Sequence, residues 1–123
     1  MNPADLKSTN DHEWVRIEGE QATVGITDYA QKQLGDVVFV ELPDVGRRLT
    51  QGEVFGTIES VKAVSELFAP VGGEVLAVNT ELPSRPEQVN ADPHGAWMIR
   101  LKLTSPGDVG TLLDSVKYAE LVK

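Results

Sequence analysis

Short runs of β-branched and aromatic residues, separated by Gly, Pro or Asn at close spacing, occupy most of this 123-residue chain. Many short strands with turn residues between them are typical of antiparallel sandwiches and barrels. The pattern therefore predicts a mainly β fold built from two antiparallel sheets. Strands are predicted in the runs WVRI, ATVGI, DVVFVEL, RRLT, EVFGTIE, VSELFA, GEVLAVN and AWMIRLKL.

Helices are predicted at only a few places. Thr27 is a suitable N-cap for DYAQKQL, and Gly35 supplies a stop, which together predict one short internal helix. Ser105, followed three residues later by Asp108, resembles a capping box. Helical turns are therefore expected toward the C-terminus, with Ser115 as a second N-cap.

The charge balance limits the classes of partner. Lys and Arg number 11 against 19 Asp and Glu, which gives a formal net charge of −8. Such a surface repels nucleic acids and anionic membranes, but it suits basic patches on other proteins. No apolar run approaches the length that spans a bilayer. The opening MNPADLKSTN has neither a secretory apolar core nor an Arg-rich transit pattern, so a cytoplasmic protein of bacterial type is expected.

The length fits a single domain over residues 1–123. Within it, residues 1–10 are expected to form a loosely ordered N-terminal segment. Residues 82–95 contain three prolines and are predicted to be a loop.

The residue types that most often carry chemistry are scarce. There are no cysteines, which excludes disulfides, thiolate zinc sites and a cysteine nucleophile. The sequence His12-Glu13-Trp14 is not a metal motif, because HExxH requires a second histidine four positions on. Trp14 and Trp97 are interpreted as core or cleft-wall residues. Neither a metal site nor a catalytic residue is predicted, and an enzyme that uses His12, Glu13 and His94 is an alternative that requires these groups to converge.

The stretch GTIESVKAVSELFAPVGGEV, at residues 56–75, contains a single cation, Lys62, between Val61 and Ala63. The similar runs GEVFGTI and GEVLAVN lie on either side of this lysine. Their similarity predicts two related strands with Lys62 at the tip of the hairpin between them. A lysine on a turn is most often a solubilising surface charge. With small neighbours on a rigid hairpin it also suits covalent attachment of a swinging cofactor, since a tether raises the effective concentration of the attached group.

The run ESVKAVSELFAPVGGEVLAVN resembles the lipoyl-attachment hairpin of the glycine cleavage system H protein. The similarity extends over DHEWVRIEGEQATVGITDYAQKQLGDVVFVELPDVG, VNADPHGAWMIRLKL and LLDSVKYAELV, from about residue 10 to the end. Neither biotin carriers nor the lipoyl domains of 2-oxo acid dehydrogenases carry HEW followed by GITDYAQ. The resemblance implies a barrel-sandwich hybrid of two antiparallel sheets with a lipoyl hairpin, one short internal helix and C-terminal helical turns.

The resemblance also implies a non-catalytic carrier. In this family a lipoyl-lysine accepts the aminomethyl group that remains when the pyridoxal-phosphate glycine decarboxylase (P protein) releases carbon dioxide from glycine. The group passes to the aminomethyltransferase (T protein), which releases ammonia and transfers the carbon to tetrahydrofolate. Dihydrolipoamide dehydrogenase (L protein) then reoxidises the dithiol. A monomer suits a carrier that docks in turn with these partners and with lipoate-attaching enzymes.

Three residues of the hairpin region match positions concerned with attachment. Lys62 matches the lysine that carries lipoate in amide linkage. Glu59, three residues before it, and Gly73, eleven residues after it, match positions that lipoate-attaching enzymes read. The alternative roles are a solvated carboxylate for Glu59 and a turn glycine for Gly73.

Four further residues are assigned by the resemblance to a cleft in which the loaded arm is shielded from water. Glu13 matches a carboxylate of that cleft, and Glu66 stands where the family usually has Asp. A carboxylate is suited to hold a cationic amine. Asp11 and His12 are expected to border the same cleft. The alternative for each glutamate is a plain surface charge.

The chain departs from the family pattern in three places. Ser8 stands where Tyr is common, and Asp11 where a small polar residue is frequent. The segment DPHGAW is one residue shorter than usual, and His94 replaces an aromatic Tyr. Gly72 replaces a common Ser. The first two departures affect the region expected to border the cleft.

Three other functions remain open from the sequence. The first is an H-like protein that relays lipoate to other lipoyl-dependent proteins. The second is a biotinyl carrier, although biotin carriers tend to place Met on both sides of the lysine. The third is an unmodified adaptor on which Lys62 is merely exposed.

Overall fold

The computed structural model describes residues 6–104 and 106–122. The strands of this part are β1 Lys7–Ser8, β2 Glu13–Glu18, β3 Gln21–Ile26, β4 Val37–Glu41, β5 Arg48–Leu49, β6 Val54–Ser60, β7 Val64–Phe68, β8 Gly73–Val78 and β9 Ile99–Leu103. The helices are α1 Asp28–Leu34, α2 Gln88–Ala91 and α3 Ser115–Leu121, with a 3₁₀ helix at Pro106–Thr111. Among these residues no helix has the length and apolarity needed to cross a membrane.

Within the described residues the strands form two antiparallel sheets, as the sequence predicts. The larger sheet has the strand order β1-β2-β3-β9-β8-β5, and the smaller sheet has the order β4-β6-β7. One continuous cluster of buried apolar side chains draws on both sheets. Phe55 and Ile58 contribute from β6, while Val24 and Leu101 contribute from the larger sheet. The mainly β sandwich is thus confirmed.

The internal helix begins and ends as predicted. The Thr27 hydroxyl accepts a hydrogen bond from the backbone N–H of Ala30, and Gly35 closes the helix with a φ of 77°. A positive φ at this point favours glycine, because it carries no Cβ that clashes with the backbone.

The prediction of Ser115 as an N-cap is wrong by one residue. The carboxylate of Asp114 accepts the hydrogen bond from the N–H of Lys117, and Ser115 is already inside the helix. The proposed partner of Asp108, Ser105, lies outside the described residues. The Asp108 carboxylate instead accepts a hydrogen bond from the N–H of Gly72.

The prediction of a loop at residues 82–95 is wrong in part, because helix α2 lies inside it. The N–H of Val89 donates to the carbonyl of Pro86, which starts a helical turn. The Val89 side chain is fully buried, as is that of Leu82. Burial of these two apolar side chains stabilises the helical turn. The prolines of the segment predict only a loop.

The described part of the N-terminal segment includes a short strand, and the loose order of residues 1–10 stays a prediction. Leu6 is buried and Lys7–Ser8 form β1, which pairs with β2. The backbone of Ser8 also exchanges two hydrogen bonds with that of Leu113. This pairing brings the two ends of the described chain together.

Candidate functional site

Lys62 lies in the turn between β6 and β7. Glu59 and Val64 are the last paired residues of this hairpin, and the N–H of Ser60 donates to the carbonyl of Ala63. The Ser60 hydroxyl accepts hydrogen bonds from the N–H groups of Lys62 and Ala63. The Ser60 side chain thus satisfies the backbone amides of Lys62 and Ala63 within the turn.

The turn also contacts the segment that follows helix α1. The N–H of Val61 donates to the carbonyl of Asp36 at 3.0 Å. The lysine stem lies over Gly35, since a Cβ placed on Gly35 would be 3.0 Å from Cε of Lys62. Lys62 itself is exposed. Its primary amine is therefore accessible to another protein and is a chemically suitable point for an acyl group.

Exposed apolar side chains lie in and beside the hairpin that carries Lys62. Val61 and Val64 are 68% and 66% exposed, and Val38 and Phe39 of β4 are also exposed. Val38 is the extra residue of a β-bulge, because Val37 pairs with Ser60 while Phe39 pairs with Glu59. Four large apolar side chains are therefore exposed in the hairpin and in the strand beside it.

Glu59 lies in the middle strand of the small sheet, between Phe39 on one side and Val64 on the other. Directly opposed residues in a sheet share a face. Two residues along, Glu66 is paired with Thr57 and is exposed on the same face. Glu59 and Glu66 therefore lie on the outer surface of the small sheet.

Gly73 is at the start of β8, in the other sheet, and it is buried. A Cβ at this position would lie 2.5 Å from the backbone oxygen of Lys102 on β9. Only glycine allows this approach of the two strands. The structure thus gives Gly73 a packing role.

Glu13 is the most deeply buried carboxylate among the described residues, with 2% of its surface exposed. The Thr9 hydroxyl donates to Oε1 at 2.6 Å, and the N–H of Phe68 donates to Oε2 at 3.4 Å. Burial raises the pKa of Glu13 to about 7, although both hydrogen bonds act in the opposite direction. Near neutral pH this carboxyl group can therefore both bind and release a proton.

A cavity of about 230 Å³ adjoins this carboxylate. Glu13 and Asp11 line it together, whereas Glu66 and His12 do not. The remaining lining comes from elsewhere in the chain and includes Gln51, Phe68, Pro70 and Thr111. Gln51, in the turn between β5 and β6, and Thr111, near the C-terminus, meet at the cavity through a hydrogen bond. The sequence near either residue does not indicate this contact.

His12 has a different environment from that of Glu13. Its Nδ1 is 2.8 Å from the Tyr118 hydroxyl, and its ring lies 4.6 Å from the ring of Tyr29. Burial lowers the pKa of His12, opposed in part by the nearby charge of Asp11. Its φ of 67° is unusual for a residue other than glycine. His12 therefore connects the β1–β2 turn to the last helix.

The two tryptophans differ in burial. Trp14 is fully buried, and its indole N–H donates to the carbonyl of Pro93. Trp97 is half-buried, with the guanidinium of Arg100 over its ring at 4.9 Å. Trp14 is therefore a core residue, and its bond to Pro93 fixes the turn that contains His94.

Comparison with known proteins extends these observations. The family model described as "Glycine cleavage H-protein" matches residues 6–123. The glycine cleavage system H protein of Rubrobacter xylanophilus is 59% identical over 118 residues, which cover 95% of this chain and 91% of the relative. That of Acidobacterium capsulatum is 52% identical over 121 residues, covering 98% and 94%.

A solved structure agrees with this similarity. The crystal structure of a glycine cleavage system H protein from Mycobacterium marinum aligns with a TM-score of 0.89 at 41% sequence identity, covering 97% of each chain. The family match and the common fold together confirm the resemblance seen in the sequence. The chain belongs to the glycine cleavage H-protein family, whose members are the lipoyl carriers of the glycine cleavage system.

Proposed function

We propose that Lys62 carries lipoate in amide linkage and moves the aminomethyl group from the P protein to the T protein. The L protein reoxidises the arm in this proposal, and catalysis resides in these partner enzymes. The observation that carries the proposal is the exposed Lys62 amine in the β6–β7 turn of an H-protein family member. A cytoplasmic location is part of the proposal, because a carrier must share a compartment with the enzymes that it serves.

The residues around Lys62 fit an acylated lysine. The turn is fixed by the Ser60 hydroxyl and by the bond from Val61 to Asp36, so the stem extends from a rigid base. Amide formation removes one positive charge from an exposed group, and it does not bury a charge. When bound, the lipoyl group supplies a disulfide that accepts electrons and a carbon unit.

Glu13 and Asp11 are proposed to receive the loaded end of the arm, because both line the cavity beside the buried carboxylate. A cationic amine that approaches Glu13 favours the ionised carboxylate, which then accepts a charge-assisted hydrogen bond. Enclosure by Phe68 and Thr111 reduces the access of water to that amine. Glu66 and His12 do not line the cavity, and a docking role for them rests on the resemblance alone.

Glu59 and Gly73 are proposed as positions that the lipoate-attaching enzyme reads. The position of Glu59 supports this proposal, because it lies on the outer face of the small sheet beside exposed Val64. Gly73 is buried, so its contribution would be to the shape of the strand rather than through direct contact.

The test is an intact-mass measurement after incubation with a lipoate ligase, lipoate and ATP, followed by peptide mapping. The proposal predicts one added lipoyl group, located on Lys62. Lys62→Arg should gain none, and the matched control Lys32→Arg, an exposed lysine on α1, should gain one. Absence of any addition, with the same ligase modifying a known lipoyl domain, would overturn the proposal.

A further inference from the structure

Asn90, on helix α2, makes three side-chain hydrogen bonds to the segment around the end of helix α1. Its Oδ1 accepts from the backbone N–H of Val37 at 2.8 Å. Its Nδ2 donates to the carbonyl of Gly35 at 2.8 Å and to Oε1 of Gln31 at 3.0 Å. One side chain thus holds the backbone on both sides of Asp36.

The backbone that Asn90 holds is the one that contacts the Lys62 turn. The carbonyl of Asp36 accepts the hydrogen bond from Val61, the residue before the lysine. Gly35, whose carbonyl Asn90 bonds, lies under the lysine stem. Asn90 and Lys62 are therefore connected through Gly35 and Asp36, although they are 28 positions apart in sequence.

Helix α2 is itself firmly attached to the core. Val89, the neighbour of Asn90, is fully buried within the main apolar cluster. The backbone of α2 is closed at its end by the bond from the Asp92 N–H to the Gln88 carbonyl. Asn90 therefore links the buried core to the segment that contacts the Lys62 turn.

We propose that Asn90 is a positioning residue for the attachment lysine, which it presents to the lipoate-attaching enzyme in one arrangement. This inference rests on the proposed attachment at Lys62. If the turn occupies several arrangements, only a fraction of molecules is competent to bind the enzyme, and the apparent affinity falls by that fraction. Loss of Asn90 should therefore raise KM for the carrier and leave kcat almost unchanged.

The experiment compares Asn90→Ala, the isosteric Asn90→Asp and the unaltered protein as substrates of a lipoate ligase. Asn90→Asp keeps an acceptor for Val37 but loses the donor to Gly35, and it preserves the volume of the side chain. We expect KM to rise about tenfold in both variants, with kcat within about twofold. Amide hydrogen exchange of Val61, measured without lipoate, should become about tenfold faster.

The matched control is Asn79→Ala. Asn79 is also partly buried, and it holds backbone groups of Trp97 and Glu81 rather than the segment before β4. It should lose thermal stability to a similar extent without a change in KM or in exchange at Val61. A folded Asn90 variant with unchanged KM, or an Asn79 variant with an equal rise in KM, would overturn the proposal.

The two proposals fail differently. If the unaltered protein is not lipoylated at Lys62, the proposed function is overturned. If it is lipoylated and either Asn90 variant is modified with the original KM, only the positioning role of Asn90 is overturned.

Discussion

The hydroxyl of Tyr118, on the last helix, lies 2.6 Å from the hydroxyl of Thr27, the residue that caps the first helix. His12 joins the same oxygen through Nδ1 at 2.8 Å. Thr27 is fully buried and Tyr118 is nearly so. The two helices and the β1–β2 turn are thus connected through one phenol oxygen.

Tyr118→Phe should therefore lower the free energy of unfolding by about 1–2 kcal/mol, because it removes a shared partner from two partly or fully buried groups. Urea unfolding measures the change. Tyr29→Phe is the control, since its hydroxyl has no hydrogen bond within residues 6–104 and 106–122, and it should change stability by less than about 0.5 kcal/mol. Equal losses in the two variants would contradict the assignment.

Glu13 should make stability depend on pH. Its pKa is about 7 in the folded protein and 4.5 ordinarily, so between these values the folded state binds more protons than the unfolded state. Stability from this group therefore falls as pH rises through that window and levels off above about pH 7. Glu13→Gln does not titrate, and relative to it the unaltered protein should lose about 2–3 kcal/mol between pH 4.5 and 8.

Denaturant unfolding at a series of pH values measures this effect. The control is Glu18→Gln, at the exposed end of the same strand. This variant also removes one carboxyl group, but it leaves Glu13 unchanged. It should retain the pH dependence of the unaltered protein. A flat difference between Glu13→Gln and the unaltered protein would show that Glu13 does not titrate in this window.

Glu13 and Glu66 should differ in protecting the loaded carrier. Glu13 lines the cavity and Glu66 is exposed on the outer face of the small sheet. Glu13→Ala should keep lipoylation and shorten the half-life of the loaded carrier about tenfold, since a charge-assisted hydrogen bond is lost. Glu66→Ala should leave that half-life unchanged. Release of ammonia and formaldehyde over time is the measurement, and equal half-lives would remove the role given to Glu13.

Lys62→Arg should abolish glycine decarboxylation in a system reconstituted with the P, T and L proteins. A guanidinium stays protonated and does not accept the acyl group. Because the side chain is exposed, the free energy of unfolding should change by less than about 0.5 kcal/mol. Lys32→Arg should retain full activity. Carbon dioxide release above background from Lys62→Arg would contradict the attachment site.

Gly25→Ala should destabilise the core. A Cβ at Gly25 would lie 2.6 Å from the ring of Trp14, which is fully buried. Overpacking of this kind costs about 1–3 kcal/mol. Gly110→Ala is the control, because a Cβ there meets nothing within 4 Å. Thermal unfolding distinguishes the two, and a Gly25 variant as stable as the Gly110 variant would contradict the packing described.

Much of the fold follows from local pattern. The Thr27 and Gly35 signals fix helix α1 because a cap and a positive φ are properties of single residues. Alternating β-branched runs likewise predict β2, β3 and the β6–β7 hairpin. Helix α2 is not predictable in this way, because its stability comes from burial of Val89, which depends on tertiary packing.

Part of the candidate site is likewise predictable from local sequence, and part depends on tertiary packing. The place of Lys62 in a turn follows from residues beside it in sequence. The cavity beside Glu13 does not, because Gln51 and Thr111 come from distant segments. The N-cap of α3 is Asp114 and not the predicted Ser115. Two adjacent polar residues can each cap a helix, and the backbone geometry decides which of them does so.

The bulge at Val38 interrupts β4, which forms one edge of the small sheet. A regular apolar edge strand offers its unpaired N–H and C=O groups as a template on which a second molecule adds a strand, and aggregation begins in this way. An extra residue breaks the spacing that such growth requires. The bulge thus makes this edge, which exposes Val38 and Phe39, a poorer template for the addition of a further strand.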